Sequence, residues 1–565
     1  MRGALDQHLP GLALGRAQRR RLSRARHQSL SRGLREQAIR VLEPLVAVRA
    51  SLHRVDEEAR GARRRVLVRG PAARERQSEH EGDQKPHAAM LGRRRSVSQA
   101  GGYTRRTMQL ASIPTAAVRA RRARLASHAG GSTLAVFAGR SRVRHYAANA
   151  FPFRAASHFI HLVGTSIEGA VLVIDGGDAR LYVPAKDDDD ELWHGKTPSS
   201  AELGAAIGCE VLSLDALPKA LAGKTVATLP CPDLEGRADQ SRLLGRDVRY
   251  RVLENADLAL ATAMIEQRLA HDAAAVAELR EAAAAADAAH RAGMRITRPG
   301  GQERDVRAAM EGAFLARGMT TSYEPIITIH GEVLHLHGHD NALASGDMIL
   351  ADVGAESLGG FASDVTRCWP VNGKFSATQR ALYEVVLEAQ RRSIAMVKPG
   401  VRYRDVHLAS CLAIAEGLVA LEILRGDPKE LVDAGVHALF FPHGVGHLLG
   451  MDVHDMEDLG DLAGYAPGRT RSAQFGLSYL RLDRELSAGM AVTIEPGFYV
   501  IPAILEAERF APLVDAHVDR RELAKFADVR GIRIEDDVLV TSTGSDVLTA
   551  SIPKSTDDVQ AAMRA

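Results

Sequence analysis

Carboxylates placed on apolar, strand-like segments constrain this chain more than any other feature of its sequence. Asp352, for example, directly follows the apolar run 348–351. Four acids end or interrupt such runs, and they are Asp352, Asp364, Glu495 and Glu535. An unpaired buried carboxylate loses many kcal/mol of solvation, so it is protonated, paired with a cationic side chain, or bound to a metal.

Taken alone, each of these acids is expected to face solvent or to form a salt bridge, because Asp and Glu are mostly exposed. If all four converge, their charge of −4 is balanced by two divalent cations. Oxygen ligands plus one imidazole suit Mn²⁺, Co²⁺ or Zn²⁺. Two metals about 3.5–4 Å apart share a bridging water and make it a hydroxide that attacks a carbonyl. The reaction class predicted from these residues is metal-assisted hydrolysis.

Histidines cluster in the same part of the chain, and they are His335, His337, His339, His443, His447 and His454. Glycines flank several of them and permit close approach of the backbone. One histidine would complete the metal shell, and others would donate to the substrate and to its anionic intermediate. A zinc site made of histidines alone is the alternative, although no HExxH sequence is present.

Arg533 precedes Glu535 by two residues, and residues two apart on a strand share a face. A guanidinium at that position could orient the ligand or bind a substrate carboxylate in a bidentate manner. The alternative is a purely structural ion pair with Asp537 or Glu535.

Residues 1–107 differ from the rest of the chain in charge. They hold 25 basic side chains against 10 acidic ones, a net charge of +15, whereas the other 458 residues hold 48 against 60 and carry −12. With one Tyr and no Trp or Phe, this segment is expected to lack a core. An extension before a start at Met108 is favoured over a nucleic-acid-binding arm and over a transit peptide.

The remainder reads as a cytoplasmic protein without a membrane span. No run reaches the roughly 18 apolar residues that a membrane helix needs, and four cysteines without CxxC spacing fit a reducing compartment. Short strands and helices over 108–262 predict an α/β domain. Long helices over 263–293, 303–316, 377–397 and 403–424, each pair followed by strands such as 532–541, predict a duplicated α+β domain over 263–565.

Five blocks in order resemble the proline peptidases of the pita-bread metallopeptidase family. They are Asp352-Val-Gly-Ala-Glu, Ser363-Asp-Val-Thr-Arg, His443-Gly-Val-Gly-His, Ile494-Glu-Pro-Gly and Gly531-Ile-Arg-Ile-Glu-Asp-Asp-Val. The resemblance covers roughly residues 108–565 and implies the α+β pita-bread fold with an N-terminal α/β domain. Within the family, the Xaa-Pro aminopeptidase type matches best and the Xaa-Pro dipeptidase type is next.

The resemblance implies five ligands of a di-manganese centre, namely Asp352, Asp364, His447, Glu495 and Glu535. Asp364 and Glu535 would bridge the ions, and Glu495 would also handle the proton of the attacking water. His443 and His454 match histidines that contact the substrate and stabilise the intermediate. His335 or His337 matches a substrate-binding histidine, with the choice left open, and Arg533 matches the arginine beside the last ligand.

Two N-terminal stretches, 144–164 and 192–195, resemble the aminopeptidase type and favour it over the dipeptidase. The substrate implied is a peptide with proline at position two, and the family likeness implies a homo-dimer or homo-tetramer. The third hypothesis is a metal-free relative that acts as a binding module. The presence of a ligand-type residue at all five ligand positions argues against it. Residues 456–489, a long polar stretch, are expected to rim the pocket.

Overall fold

The computed structural model describes residues 113–128, 131–146, 148–185, 192–193 and 195–564. The predictions for residues 1–107, including nucleic-acid binding, lie outside these residues, as do the acidic run 187–190 and His194 of the 192–195 stretch. Within the described part of the chain, no helix is both long and apolar enough to cross a bilayer.

The N-terminal part is built on a five-stranded mixed sheet with the order β6-β5-β4-β1-β7. Strand β1 runs antiparallel to β4 and parallel to β7, while β5 pairs antiparallel with β4 and parallel with β6. Its strands are β1 (Thr133–Phe137), β4 (Val171–Asp175), β5 (Asp178–Val183), β6 (Glu210–Ser213) and β7 (Val226–Ala227). A separate hairpin consists of β2 (Val143–Tyr146) and β3 (Asn149–Ala150).

Helices pack on this sheet, and the first of them carries two buried arginines. Arg122 donates to the carbonyls of Leu162 and Ile207, at 2.9 and 2.8 Å, and so ties its helix to two others. The helices are α1 (Thr115–Ala126), α2 (Ser157–Val163), α3 (Ser200–Ile207), α4 (Leu217–Leu221) and α5 (Leu234–Leu244).

The single long helix predicted over 263–293 is wrong, because the structure divides this region between α6 (Asn255–Arg268) and α7 (Ala273–Ile296). Asp272 starts the second helix by accepting a hydrogen bond from the Ala275 amide at 2.8 Å. The same carboxylate also pairs with Arg121 of α1. An N-cap supported by a distant arginine outweighs the helix propensity of the alanine-rich sequence on either side.

The first half of the remaining domain consists of a helix pair and a three-stranded antiparallel sheet of order β12-β10-β9. Helix α7 packs against α8, and β8 and β11 form a small ribbon beside the sheet. These elements are α8 (Glu303–Leu315), β8 (Thr320–Thr321), β9 (Ile326–Thr328), β10 (Met348–Asp352), β11 (Ala355–Glu356) and β12 (Thr366–Pro370).

The second half repeats this plan, with a helix pair α9–α10 followed by the antiparallel sheet β13-β16-β17 and the ribbon β14-β15. Its elements are α9 (Ala377–Met396), α10 (Tyr403–Ala420), α11 (Pro428–Asp433), α12 (Asp461–Gly464), β13 (Ala491–Ile494), β14 (Gly497–Tyr499), α13 (Pro502–Leu505), α14 (Ala511–His517), α15 (Arg520–Ala524), β15 (Gly531–Arg533), β16 (Asp536–Val540), β17 (Ser545–Val547) and α16 (Thr556–Arg564). Short 3₁₀ helices include Val436–Leu439. The predicted α+β class is confirmed.

The single strand predicted over 532–541 is also wrong, since the backbone changes partners at Ile534 and Glu535. Strand β15 pairs with β14, whereas β16 pairs with β13. Between them, the Glu535 amide donates to the carbonyl of Thr366 at 3.1 Å. Glu535 therefore lies at a junction between the two halves. A regular strand would instead place it within one sheet.

Arg367 holds this junction together from within the core. Its guanidinium donates to the Glu535 carbonyl at 2.5 Å and to Asp536 Oδ1 at 2.7 Å, and its side chain is completely buried. Burial raises the pKa of Asp536, but the charges of Arg367 and Lys554 outweigh it and hold the pKa below its usual value. The buried pair is thus ionised and tied to the backbone beside Glu535.

We expect the Arg367→Met substitution to destabilise the fold by about 3–5 kcal/mol, because it leaves Asp536 buried with a partner missing. Denaturant unfolding should show this as a lower midpoint. Arg392→Met is the matched control, since Arg392 forms exposed pairs with Glu388 and Glu416 and should cost about 1 kcal/mol or less. Equal midpoints for the two variants would contradict a structural role for Arg367.

Candidate metal centre and active site

The four acids singled out in the sequence converge on one site. Asp352 ends β10, Asp364 precedes β12, Glu495 follows β13, and Glu535 lies between β15 and β16. Their oxygens, with an imidazole nitrogen of His447, form two groups whose donor atoms lie within 4.8 Å of one another. One group is Asp352, Asp364 and Glu535, and the other is His447, Glu495 and Glu535. Glu535 belongs to both.

Neighbouring side chains fix the orientation of the first group. Asp352 accepts hydrogen bonds from the Tyr323 hydroxyl and from Arg533, each at 2.5 Å. Glu535 accepts from the Thr366 hydroxyl at 2.6 Å. The Asp364 amide donates to the carboxylate of Asp537 at 3.2 Å. Each Asp352 oxygen therefore accepts one hydrogen bond, Oδ1 from Tyr323 and Oδ2 from Arg533, whereas Glu535 accepts from Thr366 at Oε2.

His447 presents one ring nitrogen to the acids. Its Nδ1 lies 2.9 Å from the Leu448 carbonyl and donates to it, which leaves Nε2 as the nitrogen with a free lone pair. That Nε2 lies 3.3 Å from Asp364 Oδ2 and 3.6 Å from Glu495 Oε1. Burial lowers the pKa of His447 to about 4, so the ring is neutral at pH 7 and suited to bind a cation.

Burial of the carboxylates, together with their mutual repulsion, raises their pKa values. Burial raises the pKa of Glu495 to about 8, and the charges of Asp364 and Asp352 act in the same direction against that of Arg533. The pKa of Glu535 is raised well above its usual value by burial and by Asp364 and Glu495. The pKa values of Asp352 and Asp364 are also raised, chiefly by burial.

These residues fit divalent cations. Within the described residues, Arg533 is the only guanidinium hydrogen-bonded to a side-chain carboxylate of the four acids, and one positive charge does not balance four negative ones. The donors are hard oxygens with one imidazole, and each group supplies three of them within a common radius. Two cations with two positive charges each would remove the repulsion that raises the pKa values.

Arg533 does not form the ion pair with Asp537 or Glu535 that the sequence offered as the structural alternative. It pairs with Asp352, and neither Glu535 nor Asp537 is its salt-bridge partner. Its other nitrogens donate to Thr366 at 2.9 Å and to the Tyr499 hydroxyl at 3.1 Å. All three guanidinium nitrogens are thus engaged by protein groups. Strand alternation could not predict that Arg533 pairs with Asp352 of the other half, because alternation relates only residues of the same segment.

His443 and His454 both line the cavity beside the acids. His443 donates from Nδ1 to the Gly444 carbonyl at 2.8 Å and accepts at Nε2 from the Tyr499 hydroxyl at 2.9 Å. A contact from His443 Nε2 to a substrate therefore requires exchange of the bond to Tyr499. His454 Nδ1 bonds to Glu457 at 2.7 Å, and its ring centroid lies 4.1 Å from that of His447.

The sequence offered two candidates, His335 and His337, for one substrate-binding histidine. His335 lines the cavity, and His337 is not among its lining residues. Burial and the charge of Arg533 lower the pKa of His335, which keeps the ring neutral. Strand alternation did not distinguish the two residues because the 331–341 segment is a loop in the structure.

The site opens into a cavity of about 540 Å³. Residues of the 456–489 segment form part of its rim, as expected from the sequence, and they are Glu457, Arg471, Phe475, Tyr479 and Arg481. Sequence reasoning missed Tyr323 and Tyr499, which orient Asp352 and His443, and it missed the rim arginines. Tyr499 carried one signal, since it directly follows the Glu-Pro-Gly-Phe segment 495–498.

Two family descriptions match the chain. Residues 277–542 match "Metallopeptidase family M24", and residues 118–228 match "Aminopeptidase P, N-terminal domain". Together with the converging acids, these matches define the class as an M24 metallopeptidase that carries an aminopeptidase P type of N-terminal domain. The pita-bread fold implied by the sequence is confirmed.

Similar proteins indicate which members of this metallopeptidase class the chain resembles. A probable Xaa-Pro aminopeptidase of Penicillium rubens is 31% identical over 455 residues, covering 77% of this chain and 94% of that protein. The homologue of Aspergillus fumigatus is 33% identical over 429 residues, covering 72% and 87%. The solved structure of Pseudomonas aeruginosa aminopeptidase PepP is 30% identical, with a TM-score of 0.67 over 80% of this chain and 98% of its own. Zinc-substituted Escherichia coli aminopeptidase P, solved with product, has a TM-score of 0.66 and 28% identity over the same shares. The chain belongs to the Xaa-Pro aminopeptidases of metallopeptidase family M24.

We expect the metal-free protein to lose stability as the pH rises from about 7 to 8.5. A carboxyl whose pKa is raised by folding contributes most below its unfolded value, near 4.3 for Glu, and this contribution is lost as the pH passes the folded value, about 8 for Glu495. Histidines, with an unfolded pKa near 6.5, contribute little change in this window.

Thermal unfolding with a chelator and with divalent cation checks this expectation. Added cation should raise Tm more at pH 8.5 than at pH 7, and Glu495→Gln should make the metal-free protein less sensitive to pH. Glu388→Gln, at an exposed position, is the control. A metal-free Tm that stays constant or rises over this window would contradict the assignment.

Proposed function

We propose that the protein is a divalent-metal-dependent aminopeptidase that releases the N-terminal residue from peptides with proline at position two. The observation that carries this proposal is the pair of donor groups that share Glu535 at the base of one cavity. The aminopeptidase P type of N-terminal domain supports the aminopeptidase over the dipeptidase.

Asp352, Asp364 and Glu535 would hold one cation, and His447, Glu495 and Glu535 the other. Asp364 is a second candidate bridge, because its Oδ2 lies 3.3 Å from His447 Nε2. When bound, two such cations polarise the scissile carbonyl and supply a nucleophilic water at neutral pH. We propose manganese, since oxygen-rich ligand sets suit it.

Glu495 is placed to take the proton of the attacking water. Its side chain is 16% exposed and faces the cavity, with Oε2 at 3.7 Å from His443 Nδ1. The proton would be held at a Glu495 carboxylate oxygen and passed to the nitrogen of the leaving proline. Glu457 would orient His454, which lines the same cavity, through the bond at Nδ1. His335 lines this cavity as well.

Selectivity for proline would come from the shape of the cavity. An Xaa-Pro bond has no amide N–H and restricts the residue before it, so it fits poorly in sites that bind extended backbones by hydrogen bonds. Apolar side chains also line the cavity, and they are Leu334, Phe475, Ile501 and Ile504. Such a wall suits the pyrrolidine ring.

A second candidate, the Xaa-Pro dipeptidase, is favoured by one specific observation. Besides Arg533, three arginines line the cavity, and they are Arg471, Arg481 and Arg509. Arg471 is held by Asp461 and Arg509 lies over the ring of Phe510, 4.5 Å from its centroid. Arg481 pairs with Glu457 beside His454. A guanidinium so close to the acids could bind the free carboxylate of a dipeptide.

We propose the compartment, the assembly and the domain limits from fewer observations than the activity. All four cysteines are free, which supports the reducing environment of a cytoplasm. A homo-dimer or homo-tetramer stays a prediction. We keep an N-terminal domain from 108 to about 262 and a catalytic domain from 263 to 565, with the turn between α6 and α7 as the nearest break in the helices.

Hydrolysis of Xaa-Pro-Yaa tripeptides with Mn²⁺ tests the proposal. We expect release of the first residue by the metal-loaded enzyme, and loss of both activity and bound metal in Asp364→Ala and Glu535→Ala. The activity loss should exceed about 100-fold, the effect of removing only an outer partner of a metal ligand. Asp546→Ala, at an exposed acid, should retain activity. No release with any divalent cation would refute the proposed function.

Peptide length separates the two candidates. We expect cleavage of Xaa-Pro-Yaa-Zaa as well as shorter peptides, whereas a dipeptidase would cleave Xaa-Pro alone. If Arg481 binds a terminal carboxylate, Arg481→Met should reduce kcat/KM for Xaa-Pro by about 10- to 150-fold, the worth of a charged hydrogen bond, and spare C-terminally amidated peptides. Arg469→Met, which is absent from the cavity lining, is the control. Activity restricted to Xaa-Pro would establish the second candidate.

A further inference from the structure

A cluster of sulfur and nitrogen donors lies outside the site described above. His407 and Cys411 are one turn apart on α10, and His437 lies on the 3₁₀ helix Val436–Leu439. All three side chains are completely buried. One donor atom from each lies within 4.8 Å of the others, and His407 Nε2 is 3.3 Å from Cys411 Sγ. The three donors thus face one common point.

Hydrogen bonding within the protein leaves this cluster incomplete. His407 Nδ1 and both ring nitrogens of His437 are buried without a hydrogen-bond partner. A neutral imidazole carries one donor and one acceptor, so a purely structural pair of core histidines would be expected to bond both. Here neither ring nitrogen of His437 has a hydrogen bond of ordinary geometry, although the Val432 backbone acts on its pKa as a weak acceptor. A buried polar group left in this way calls for an explanation, and a bound ion is one.

The charge state of the cluster suits a cation that prefers soft ligands. Burial lowers the pKa of His437 to about 4, with the Val432 backbone acting in the opposite direction. Burial also lowers the pKa of His407, and the nearby His437 adds to this. It raises the pKa of the Cys411 thiol. The groups that shift these three pKa values include no carboxylate, and the charge of Arg404 adds to the lowering at His407.

We propose that His407, Cys411 and His437 form a buried binding site for Cu⁺, separate from the carboxylate centre. Thiolate and imidazole are the ligands that Cu⁺ selects, whereas carboxylates suit harder cations. On binding, the Cys411 thiol loses its proton to solvent and the cation takes its place. Two neutral imidazoles, one thiolate and Cu⁺ sum to zero charge, which a fully buried site without carboxylates requires. Zn²⁺ in the same place would leave one uncompensated positive charge.

Such a site would connect α10 to the segment that leads into the active site. The His407 ring centroid lies 5.5 Å from that of Phe441, and Phe441 lies 4.9 Å from His443. A cation shared by α10 and the 3₁₀ helix would fix the residues immediately before His443. Occupancy is therefore expected to raise the thermal stability of this segment without adding a group to the catalytic cavity.

Anaerobic titration of the full chain, loaded first with Mn²⁺, tests the proposal with Cu⁺ in competition with a chromophoric Cu⁺ chelator. We expect the protein to withdraw one equivalent of Cu⁺ per chain. Cys411→Ser and His437→Gln should each lose this equivalent. Cys231→Ser, which removes another buried thiol, is the matched control and should keep it. Circular dichroism and Mn²⁺-dependent peptidase activity report whether each variant folds.

X-ray absorption at the copper edge of the unmutated protein supplies a test that does not depend on folding of variants. One sulfur and two nitrogen neighbours are expected. The proposal is overturned if the unmutated protein retains no Cu⁺, if Cys411→Ser retains the equivalent while folded, or if copper shows only oxygen and nitrogen neighbours. Loss of the equivalent in Cys231→Ser would equally overturn it, since the copper would then be bound elsewhere.

Discussion

Mutual repulsion among four buried carboxylates is the interaction on which the rest of this structure depends. Each acid gives up hydration on burial, and the neighbouring carboxylates raise the pKa values of Glu495 and Glu535 further. One guanidinium, that of Arg533, meets Asp352 directly, and a single positive charge leaves most of the cost in place. Divalent cations remove it, so the same arrangement that makes the metal-free protein costly also makes cation binding strongly favourable.

The two halves of the domain each deliver part of the donor set. Strands β10 and β12 bring Asp352 and Asp364 from the first half, while the second half supplies His447, Glu495 and Glu535. Thr366 ties the halves together, since its hydroxyl donates to Glu535 and its carbonyl accepts from the Glu535 amide. Arg367 continues this connection into the core. The geometry of the centre is therefore fixed by the interface between the halves.

Local patterns predicted the donors because a carboxylate on an apolar strand is costly wherever the strand lies. Asp352 and Glu495 could thus be recognised from their own segments. The break before Asp272 and the partner of Arg533 could not, since each depends on a residue far away in the chain: Arg121 for the first and Asp352 for the second. The sequence could not distinguish His335 from His337 for a related reason. Both lie in a loop, where side chains do not alternate between two faces as they do on a strand.

The N-terminal domain acts on the site without supplying a donor to it. Arg154 donates to the Met451 carbonyl at 2.7 Å, and Ser157 donates to Asp452 at 2.5 Å. Arg268 of α6, which lies just beyond this domain, adds a buried pair with Asp455, the residue after His454. These bonds brace the loop between His447 and Glu457, which carries one ligand and one cavity histidine. A metal centre needs its ligands held within fractions of an ångström, so this domain contributes to the chemistry by fixing that loop.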